Sequence, residues 1–244
     1  MSIDKKAFTA ENSEYLNINP TWHVEDSPWK ATQVLKMIAR NKLQPKTIVE
    51  IGCGAGEILN QLYERLEDKK IQFSGFEISP DAFKLCEQRQ KERLSFYQED
   101  LLETSNNYDL LLMIDVFEHV EDYLGFTRKA AEKATYKIYH IPLDMSIYAL
   151  LINNFKYIRT PGGHIHYFNQ FTALGTLKDT GQEIVDWFYT KTALEVHNKN
   201  ITLFNRFMNF LRRVGFRIKP DFTVKALGGF ALMVLTRQKS QQDS

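Results

Sequence analysis

The sequence alternates between two hydrophobic periods. Short apolar runs, such as those over residues 47–51 and 108–114, are typical of strands buried on both faces of a sheet. The segments between such runs repeat apolar residues every three or four positions, as residues 28–41 do behind a helix start at Ser27 and Pro28. Strands that alternate with helices in this way predict an α/β protein with a parallel sheet.

The alternation continues through nearly the whole chain. It predicts a Rossmann-like, doubly wound and mostly parallel sheet of seven strands, with helices on both faces. The predicted strands cover residues 47–51, 71–76, 94–97, 108–114, 137–141, 183–189 and 229–236. The predicted helices cover residues 28–41, the segment that follows the first strand up to residue 65, and residues 80–89, 123–134, 171–178 and 201–213.

Composition agrees with a single globular domain. Of the 244 residues, 43% are hydrophobic and 25% are charged, as in ordinary globular proteins. We expect residues 1–44 to form an arm and a helix that pack on a domain over residues 45–238. A flap is expected at about residues 143–168, and residues 239–244 form a polar tail.

The charge balance and the number of cysteines limit the classes of partner and the cellular compartment that we expect. The 31 Lys and Arg residues balance 30 Asp and Glu residues, and the resulting charge of +1 predicts neither nucleic acid nor a membrane as partner. Cys53 and Cys86 are too few for a disulfide framework, and we interpret both as packing residues. No apolar stretch suits a secretory signal or a membrane span, so we expect a soluble, cytoplasmic protein of unknown oligomeric state.

A glycine loop is the most informative motif. Glu50 lies in the first predicted strand, and Gly52, Gly54 and Gly56 follow at alternate positions before a helix. Such glycines let the backbone approach a ligand and allow positive φ angles. A dinucleotide-binding loop has the spacing G-x-G-x-x-G, so the third glycine comes one position early here. The Glu50 carboxylate would also oppose a diphosphate and favour a cationic ligand.

These residues resemble the first motif, E-x-G-x-G-x-G, of the class I S-adenosylmethionine-dependent methyltransferases. The likeness extends over roughly residues 45–238. Glu77 comes 21 residues after Gly56, where the family places the acid that binds both ribose hydroxyls. Asp100 matches the residue that contacts the adenine amino group, and the segment from Asp115 to Val120 resembles the D-V-x-E-H-V of small-molecule members.

The resemblance implies S-adenosylmethionine as the cofactor. The carboxyl ends of successive parallel strands meet at one edge of the sheet, where such folds bind their ligands. The implied cofactor-binding residues are Glu50, Gly52, Gly54, Gly56, Glu77, Ile78, Asp100, Leu101, Asp115 and Val116.

The implied activity is transfer of a methyl group to a small-molecule acceptor; we expect the acceptor atom to be an oxygen or a nitrogen, and the cations of the flap described below favour an anionic metabolite. Transfer to a hydroxyl group requires that the acceptor be positioned and its proton removed. The candidate catalytic residues are His119, His140, His164 and His166. The resemblance favours His164, since a G-H-x-x-x-F segment recurs in related proteins. Asp144 and three of these histidines form no compact ligand motif, so we expect no metal site.

The flap offers candidate acceptor-binding residues. Lys156 and Arg159 would hold a carboxylate or phosphate through charge-assisted hydrogen bonds, although a solvated surface loop is an equally good interpretation. Similarly, Trp22, His23 and Trp29 would close over the adenosine or the acceptor, or would simply pack on the sheet edge.

Two other methyltransferase subclasses are disfavoured. The segment after the fourth strand lacks the N/D-P-P-Y sequence of enzymes that methylate exocyclic amines of bases or glutamine. No cysteine lies beside the proline of residues 140–142 for cytosine C5 chemistry. Two alternatives from other classes stay open: a non-catalytic subunit that binds the cofactor or a protein partner, and an NAD(P)-dependent oxidoreductase.

Overall fold

The fold is built on one seven-stranded sheet. The computed structural model describes residues 21–22, 24–159, 163–196 and 202–239, and within these the strand order is β3-β2-β1-β4-β5-β7-β6. The strands are β1 (Thr47–Ile51), β2 (Gln72–Phe76), β3 (Leu94–Tyr97), β4 (Tyr108–Ile114), β5 (Ala134–Pro142), β6 (Gln182–Thr190) and β7 (Ala231–Gln238).

Helices connect the strands and flank the sheet. They are α1 (Ser27–Arg40), α2 (Glu57–Arg65), α3 (Pro80–Cys86), α4 (Tyr123–Ala131), α5 (Ile147–Leu151), α6 (Phe155–Arg159), α7 (Gln170–Asp179), α8 (Thr192–Glu195), α9 (Leu203–Ile218) and α10 (Pro220–Leu227). Short 3₁₀ turns cover Val24–Asp26, Glu87–Arg89, Leu101–Glu103 and Phe117–His119.

Strands β1 to β5 pair in parallel, and β7 runs antiparallel between β5 and β6. The carboxyl ends of the parallel strands therefore lie at one edge of the sheet, which is where α/β proteins bind ligands. The predicted fold class, a doubly wound and mostly parallel seven-stranded sheet, is confirmed.

Each face of the sheet carries its own core. Ile48 and Val49 are neighbours in β1 whose side chains point to opposite faces, because side chains alternate along a strand. Ile48 packs in a cluster with Val34 of α1 and Leu59 of α2. Val49 packs in a second cluster that includes Leu177 of α7. Both faces are buried, which explains the near-continuous apolar character of the central strands.

The structure corrects several predicted boundaries. The flap contains the helices α5 and α6, rather than a plain connection, and β5 begins at Ala134. The helix predicted to end at Arg213 continues through Gly215 to Ile218 and is followed by the unpredicted α10. A Cβ on Gly215 would lie 2.6 Å from Thr223 Oγ1, so this glycine lets α10 pack closely instead of ending the helix.

Candidate active site

The glycine loop joins β1 to α2 in a conformation that needs glycine. Gly52, Gly54 and Gly56 have φ angles of 67°, 54° and 74°. The Gly52 amide donates to the Phe76 carbonyl oxygen at 2.8 Å, which fixes the loop to the end of β2. A Cβ on Gly54 would meet nothing within 4 Å. The loop backbone at Gly54 therefore faces open space in which a ligand can approach it closely.

Glu77 holds the same loop from the end of β2. Its carboxylate accepts hydrogen bonds from the amides of Gly54 and Ser79, each at 2.8 Å. Burial raises the pKa of Glu77, although these amides favour the ionised form. Each carboxylate oxygen accepts more than one hydrogen bond, so Glu77 retains capacity for a ligand hydroxyl.

Glu50 is the least satisfied carboxylate beside the loop. It is 1% exposed, and its Oε2 has no hydrogen-bond partner among the described residues. Burial raises the pKa of Glu50 well above its ordinary value, while Lys30 opposes this shift. A buried carboxylate oxygen without a donor suits a cationic or hydrogen-bonding ligand group.

Asp115 lies at the end of β4 in the left-handed region, with a φ of 55°. Its two oxygens lie 2.8 Å from Lys30 Nζ and 2.5 Å from His140 Nδ1. Burial opposes ionisation of Asp115, but His140 and then Lys30 hold its pKa far below the usual range. On the other side of the ring, His140 Nε2 lies 2.9 Å from Thr190 Oγ1. A line of polar groups thus joins α1, β4, β5 and β6.

The remaining cofactor candidates border the same edge. Asp100 Oδ1 accepts from the Leu102 amide at 2.9 Å, and Leu101 is fully buried. Ile78 is an apolar side chain with 39% exposure, directly after Glu77. Val116 packs beneath the loop, since its Cγ2 would lie 3.0 Å from a Cβ on Gly52.

A cavity of about 450 Å³ opens beside Asp115. Asp115, His140 and Asp144 line one part of it, from the ends of β4 and β5. Asn209 and Arg212 of α9 also line it. The wall thus combines carboxylates at the sheet edge with a cation on a helix far along the chain.

Arg212 is a cavity residue that sequence reasoning missed. Its Nε and Nη2 donate to the carbonyl oxygens of Gly228 and Leu227, and its Nη1 donates to Asn209 Oδ1. Burial lowers the pKa of the Arg212 guanidinium. No ion pair joins Arg212 to a carboxylate within the described ranges, although a guanidinium remains charged at any ordinary pH. No motif surrounds Arg212, so the sequence carries no signal for its role.

The predicted acceptor-binding residues lie elsewhere. In the part of the chain that the structure describes, Asn154 and Ile158 belong to the cavity wall, but Lys156 and Arg159 do not. Residues 160–162 of the flap lie outside the described residues. The assignment of Lys156 and Arg159 to acceptor binding stays a prediction.

The four candidate histidines have different surroundings. His140 is buried, with both ring nitrogens placed against side chains. His164 Nδ1 lies 2.7 Å from Asp144 Oδ2, and the rings of His119 and His164 meet edge to face at 4.9 Å. His166 Nε2 lies 2.9 Å from the Val120 carbonyl oxygen, so it ties two backbone segments together.

The start of α1 reaches over this region. Trp29 meets the His140 ring at 5.9 Å and donates from Nε1 to Glu195 Oε2 at 3.0 Å. Lys30, which the sequence analysis did not single out, bonds Asp115. His23 and residues 1–20 lie outside the described residues. Whether Trp22 or Trp29 closes over a ligand stays a prediction.

Comparisons with known proteins agree with this geometry. Residues 26–186 match the model of a family described as a methyltransferase domain. No curated protein matches the sequence. Among the described residues, the helices lack the length and apolar character that crossing a bilayer requires.

Solved structures share the fold over most of the chain, and three of them contain S-adenosylhomocysteine. The chain aligns over 91% of its length with 87% of magnesium protoporphyrin IX methyltransferase from Synechocystis PCC 6803, at 15% identity and a TM-score of 0.58. It aligns over 93% with 98% of a mycolic acid cyclopropane synthase, at 15% identity and a TM-score of 0.60. It aligns over 96% with 96% of the N-methyltransferase NodS from Bradyrhizobium japonicum WM9, at 13% identity and a TM-score of 0.55.

The family match spans well over half of the chain and includes the glycine loop, Glu77, Asp100 and Asp115. The observed fold and the predicted resemblance agree with it. The chain therefore belongs to the methyltransferase domain family and is a class I S-adenosylmethionine-dependent methyltransferase.

Proposed function

We propose that this enzyme methylates an oxygen or nitrogen atom of an anionic small molecule bound in the cavity beside Asp115. The observation that carries this proposal is the cavity wall, which includes the cation Arg212 together with residues from the strand ends of the cofactor edge. A cavity of about 450 Å³ suits a metabolite of small-molecule size.

The residues of the cofactor edge fit S-adenosylmethionine. The unpartnered Oε2 of Glu50 would receive the ammonium group, and the open space above Gly54 would admit the methionine and ribose. Glu77 would accept from the ribose hydroxyls, and Asp100 from the adenine amino group. When bound, this cofactor supplies an electrophilic methyl group on a sulfonium. The chain's task is then to hold the acceptor atom in line with that group.

The cavity wall would orient the acceptor. Arg212 retains N–H groups beyond its three bonds to the chain, and these would bind a carboxylate or phosphate. Asn209 would add an amide. With its anionic group held in this way, the acceptor would present its reacting atom to the ends of β4 and β5.

Asp144 is the proton acceptor we favour for a hydroxyl substrate. It lies on the wall, and the Nδ1–H of His164 donates to its Oδ2. The hydrogen bond to Asp144, followed by the charge of Glu118, raises the pKa of His164 against the effect of burial. His164 would therefore orient Asp144 and stabilise its charge. His140 suits this role less well because both of its nitrogens face side chains.

Cofactor binding and turnover test the proposal in two stages. Titration calorimetry should show that S-adenosylmethionine binds and that NAD(H) does not. Release of S-adenosylhomocysteine should then be measured with pools of anionic, neutral and cationic small molecules. We expect turnover with anionic acceptors. Cofactor binding without turnover on any pool would favour the non-catalytic alternative, and turnover only on cationic or neutral pools would contradict the anionic assignment.

Arg212→Met tests the residue that carries the proposal. Loss of a charge-assisted hydrogen bond should lower kcat/KM for the anionic acceptor by about tenfold or more, with unchanged affinity for the cofactor. Arg213→Met is the matched control, because Arg213 is exposed on the same helix. Arg212→Lys keeps the charge and should recover part of the activity if charge matters. Equal kinetics of Arg212→Met and wild type would overturn the assignment.

A further inference from the structure

Three potential metal ligands converge behind the cavity wall. Glu118 and His119 belong to the 3₁₀ turn after β4, and His164 lies in the segment before α7. One ligand atom from each of them lies within 4.8 Å of the others. The backbone fixes this arrangement, because the amides of Ile165 and His166 both donate to the Glu118 carbonyl oxygen, at 2.9 and 3.1 Å.

Glu118 has an unusual environment. Its side chain is fully buried, and neither carboxylate oxygen has a hydrogen-bond partner among the described residues. Burial, and then the charge of Asp115, raises the pKa of Glu118 to about 8. Buried carboxylates without donors are costly, and proteins keep them mainly where they bind a cation or take part in a reaction.

The surrounding charges favour a cation. Besides Glu118 itself, the carboxylates of Asp115 and Asp144 act on this position. Lys30 and His164 are the positively charged groups that act on Glu118, and the Lys30 Nζ is already engaged by Asp115. A metal ligand set requires Glu118 ionised and His164 neutral; three carboxylates then face the Lys30 ammonium, and a divalent ion would offset the excess of negative charge.

We propose that Glu118, His119 and His164 bind one divalent transition-metal ion. Two imidazoles and one carboxylate form a donor set that suits Mn²⁺, Fe²⁺, Co²⁺ or Zn²⁺ better than Mg²⁺ or Ca²⁺, which prefer oxygen ligands. Three protein ligands leave at least one coordination position for water or a substrate atom.

The tautomer of His164 is already set for this role. Its Nδ1–H donates to Asp144 Oδ2 at 2.7 Å, which leaves the Nε2 lone pair for the ion. Metal-bound histidines commonly donate their other ring N–H to a carboxylate in this way. Asp144 also lines the cavity, so an ion at this position would lie next to the bound acceptor.

The required movement is small. Metal–nitrogen and metal–oxygen bonds of about 2.0–2.2 Å put two ligand atoms of one ion roughly 3.3–4.4 Å apart. From the limit of 4.8 Å, the ligand atoms would approach one another by roughly 0.4–1.5 Å. Rotation of the side chains alone can supply this movement, since the backbone of both segments is already joined.

Metal binding to the full-length chain, with any affinity tag removed, tests the site directly. After treatment with a chelator, the protein should be titrated with Mn²⁺, followed by electron paramagnetic resonance, and with Zn²⁺, followed by competition with a chromophoric chelator. We expect one ion per chain, and a Mg²⁺ affinity at least about a hundredfold weaker. The measurement needs neither cofactor nor acceptor, so its outcome is separate from that of the proposed function.

Variants locate the ion. Glu118→Gln and His164→Asn should each weaken Mn²⁺ and Zn²⁺ binding by more than about a hundredfold, and Asp144→Asn should weaken it by about ten- to a hundredfold. His166→Asn is the matched control, because it removes a neighbouring imidazole that faces backbone carbonyl oxygens, and binding should persist. Circular dichroism verifies that each variant folds. A wild-type chain that binds neither ion, or Glu118→Gln and His164→Asn chains that bind like wild type, would overturn the proposal.

Discussion

Glu50 and Glu77 are two buried carboxylates at adjacent strand ends, and their hydrogen bonding differs. Glu77 accepts from the amides of Gly54 and Ser79, whereas Glu50 Oε2 has no partner among the described residues. Both have raised pKa values because of burial. Glu77 therefore stabilises the folded state even without a ligand. Glu50 destabilises the folded state until a ligand group forms a hydrogen bond or ion pair with it.

We expect Glu50→Gln to raise stability and weaken cofactor binding. Burial raises the pKa of Glu50, so the folded state holds its proton more tightly than the unfolded state does. The stabilising contribution of this carboxyl group is thus complete below the unfolded-state pKa and is lost as the pH rises through the folded-state pKa. Glutamine does not ionise, so the variant keeps its stability as the pH rises. Its free energy of unfolding should exceed that of wild type by about 1–3 kcal/mol at pH 8, with little difference near pH 5.

Urea unfolding at pH 5, 6.5 and 8 checks the stability difference, and titration calorimetry should show an affinity for S-adenosylmethionine at least about tenfold weaker. Glu103→Gln, at an exposed carboxylate, should change neither quantity. Equal stability of Glu50→Gln and wild type at pH 8 would show that Glu50 ionises in the folded protein at no cost.

Residues with a motif could be predicted, and residues without one could not. Glu50 lies near the end of β1, and Glu77, Asp100 and Asp115 follow β2, β3 and β4, so their place at one edge follows from the topology of a parallel sheet. Arg212 belongs to an amphipathic helix and has no neighbouring signal. Its place in the cavity depends on how α9 packs, which one sequence does not reveal.

At the scale of elements, two glycines of the glycine loop have different roles. Gly54 has a φ of 54° and open space around its Cβ position. Gly56 has a φ of 74°, and a Cβ there would lie 2.6 Å from the Phe96 ring. The first position leaves room for a ligand, and the second allows α2 to pack on β3.

Alanine at these two positions should have different effects. Gly54→Ala meets only the strain of the left-handed region, about 1 kcal/mol, but its Cβ fills the ligand space and should weaken S-adenosylmethionine binding by at least about tenfold. Gly56→Ala adds overpacking and should lower the free energy of unfolding by about 2–4 kcal/mol.

Urea unfolding measures the effect of each alanine on stability, and calorimetry measures its effect on cofactor affinity. Gly175→Ala, in a helix with nothing within 4 Å of its Cβ, should be neutral or slightly stabilising. A Gly54→Ala protein that binds the cofactor normally would place the ligand elsewhere.

The elements themselves were largely predictable, because strong periodicity specified the strands and most helices. The helices α5 and α6 in the flap escaped prediction because each has five residues, too few for a helical period to appear. The helix predicted over residues 201–213 continues through Gly215, where Thr223 of α10 occupies the space that a side chain would need.

At the scale of the whole molecule, the cavity is assembled from segments far apart in sequence. Asp115 and His140 come from the parallel half of the sheet, and Asn209 and Arg212 come from the connection that leads to the antiparallel strand β7. The sequence predicted the cofactor edge from its motifs. The acceptor cavity depends on tertiary packing between the two halves, so the candidates chosen from local composition, Lys156 and Arg159, do not line it.

Trp29 contacts both halves of the molecule. Its ring packs on His140 of β5, and its Nε1 donates to Glu195 of α8, 166 positions later in the chain. The same turn of α1 carries Lys30, whose ammonium bonds Asp115. Loss of the indole should therefore loosen α1 and, with it, the position of Asp115 at the cofactor edge.

We expect graded effects at this position. Trp29→Phe keeps a ring against His140 and loses the bond to Glu195, which should cost about 1 kcal/mol of folding free energy. Trp29→Ala also loses the ring and should cost about 3 kcal/mol or more, with weaker S-adenosylmethionine binding. Urea unfolding and calorimetry measure both quantities. Glu195→Ala should match Trp29→Phe in stability to within the small contribution of the exposed pair with Lys191, because it removes the same bond from the other side. If Trp29→Ala lowers stability but leaves cofactor affinity unchanged, α1 supports the fold without positioning the cofactor edge.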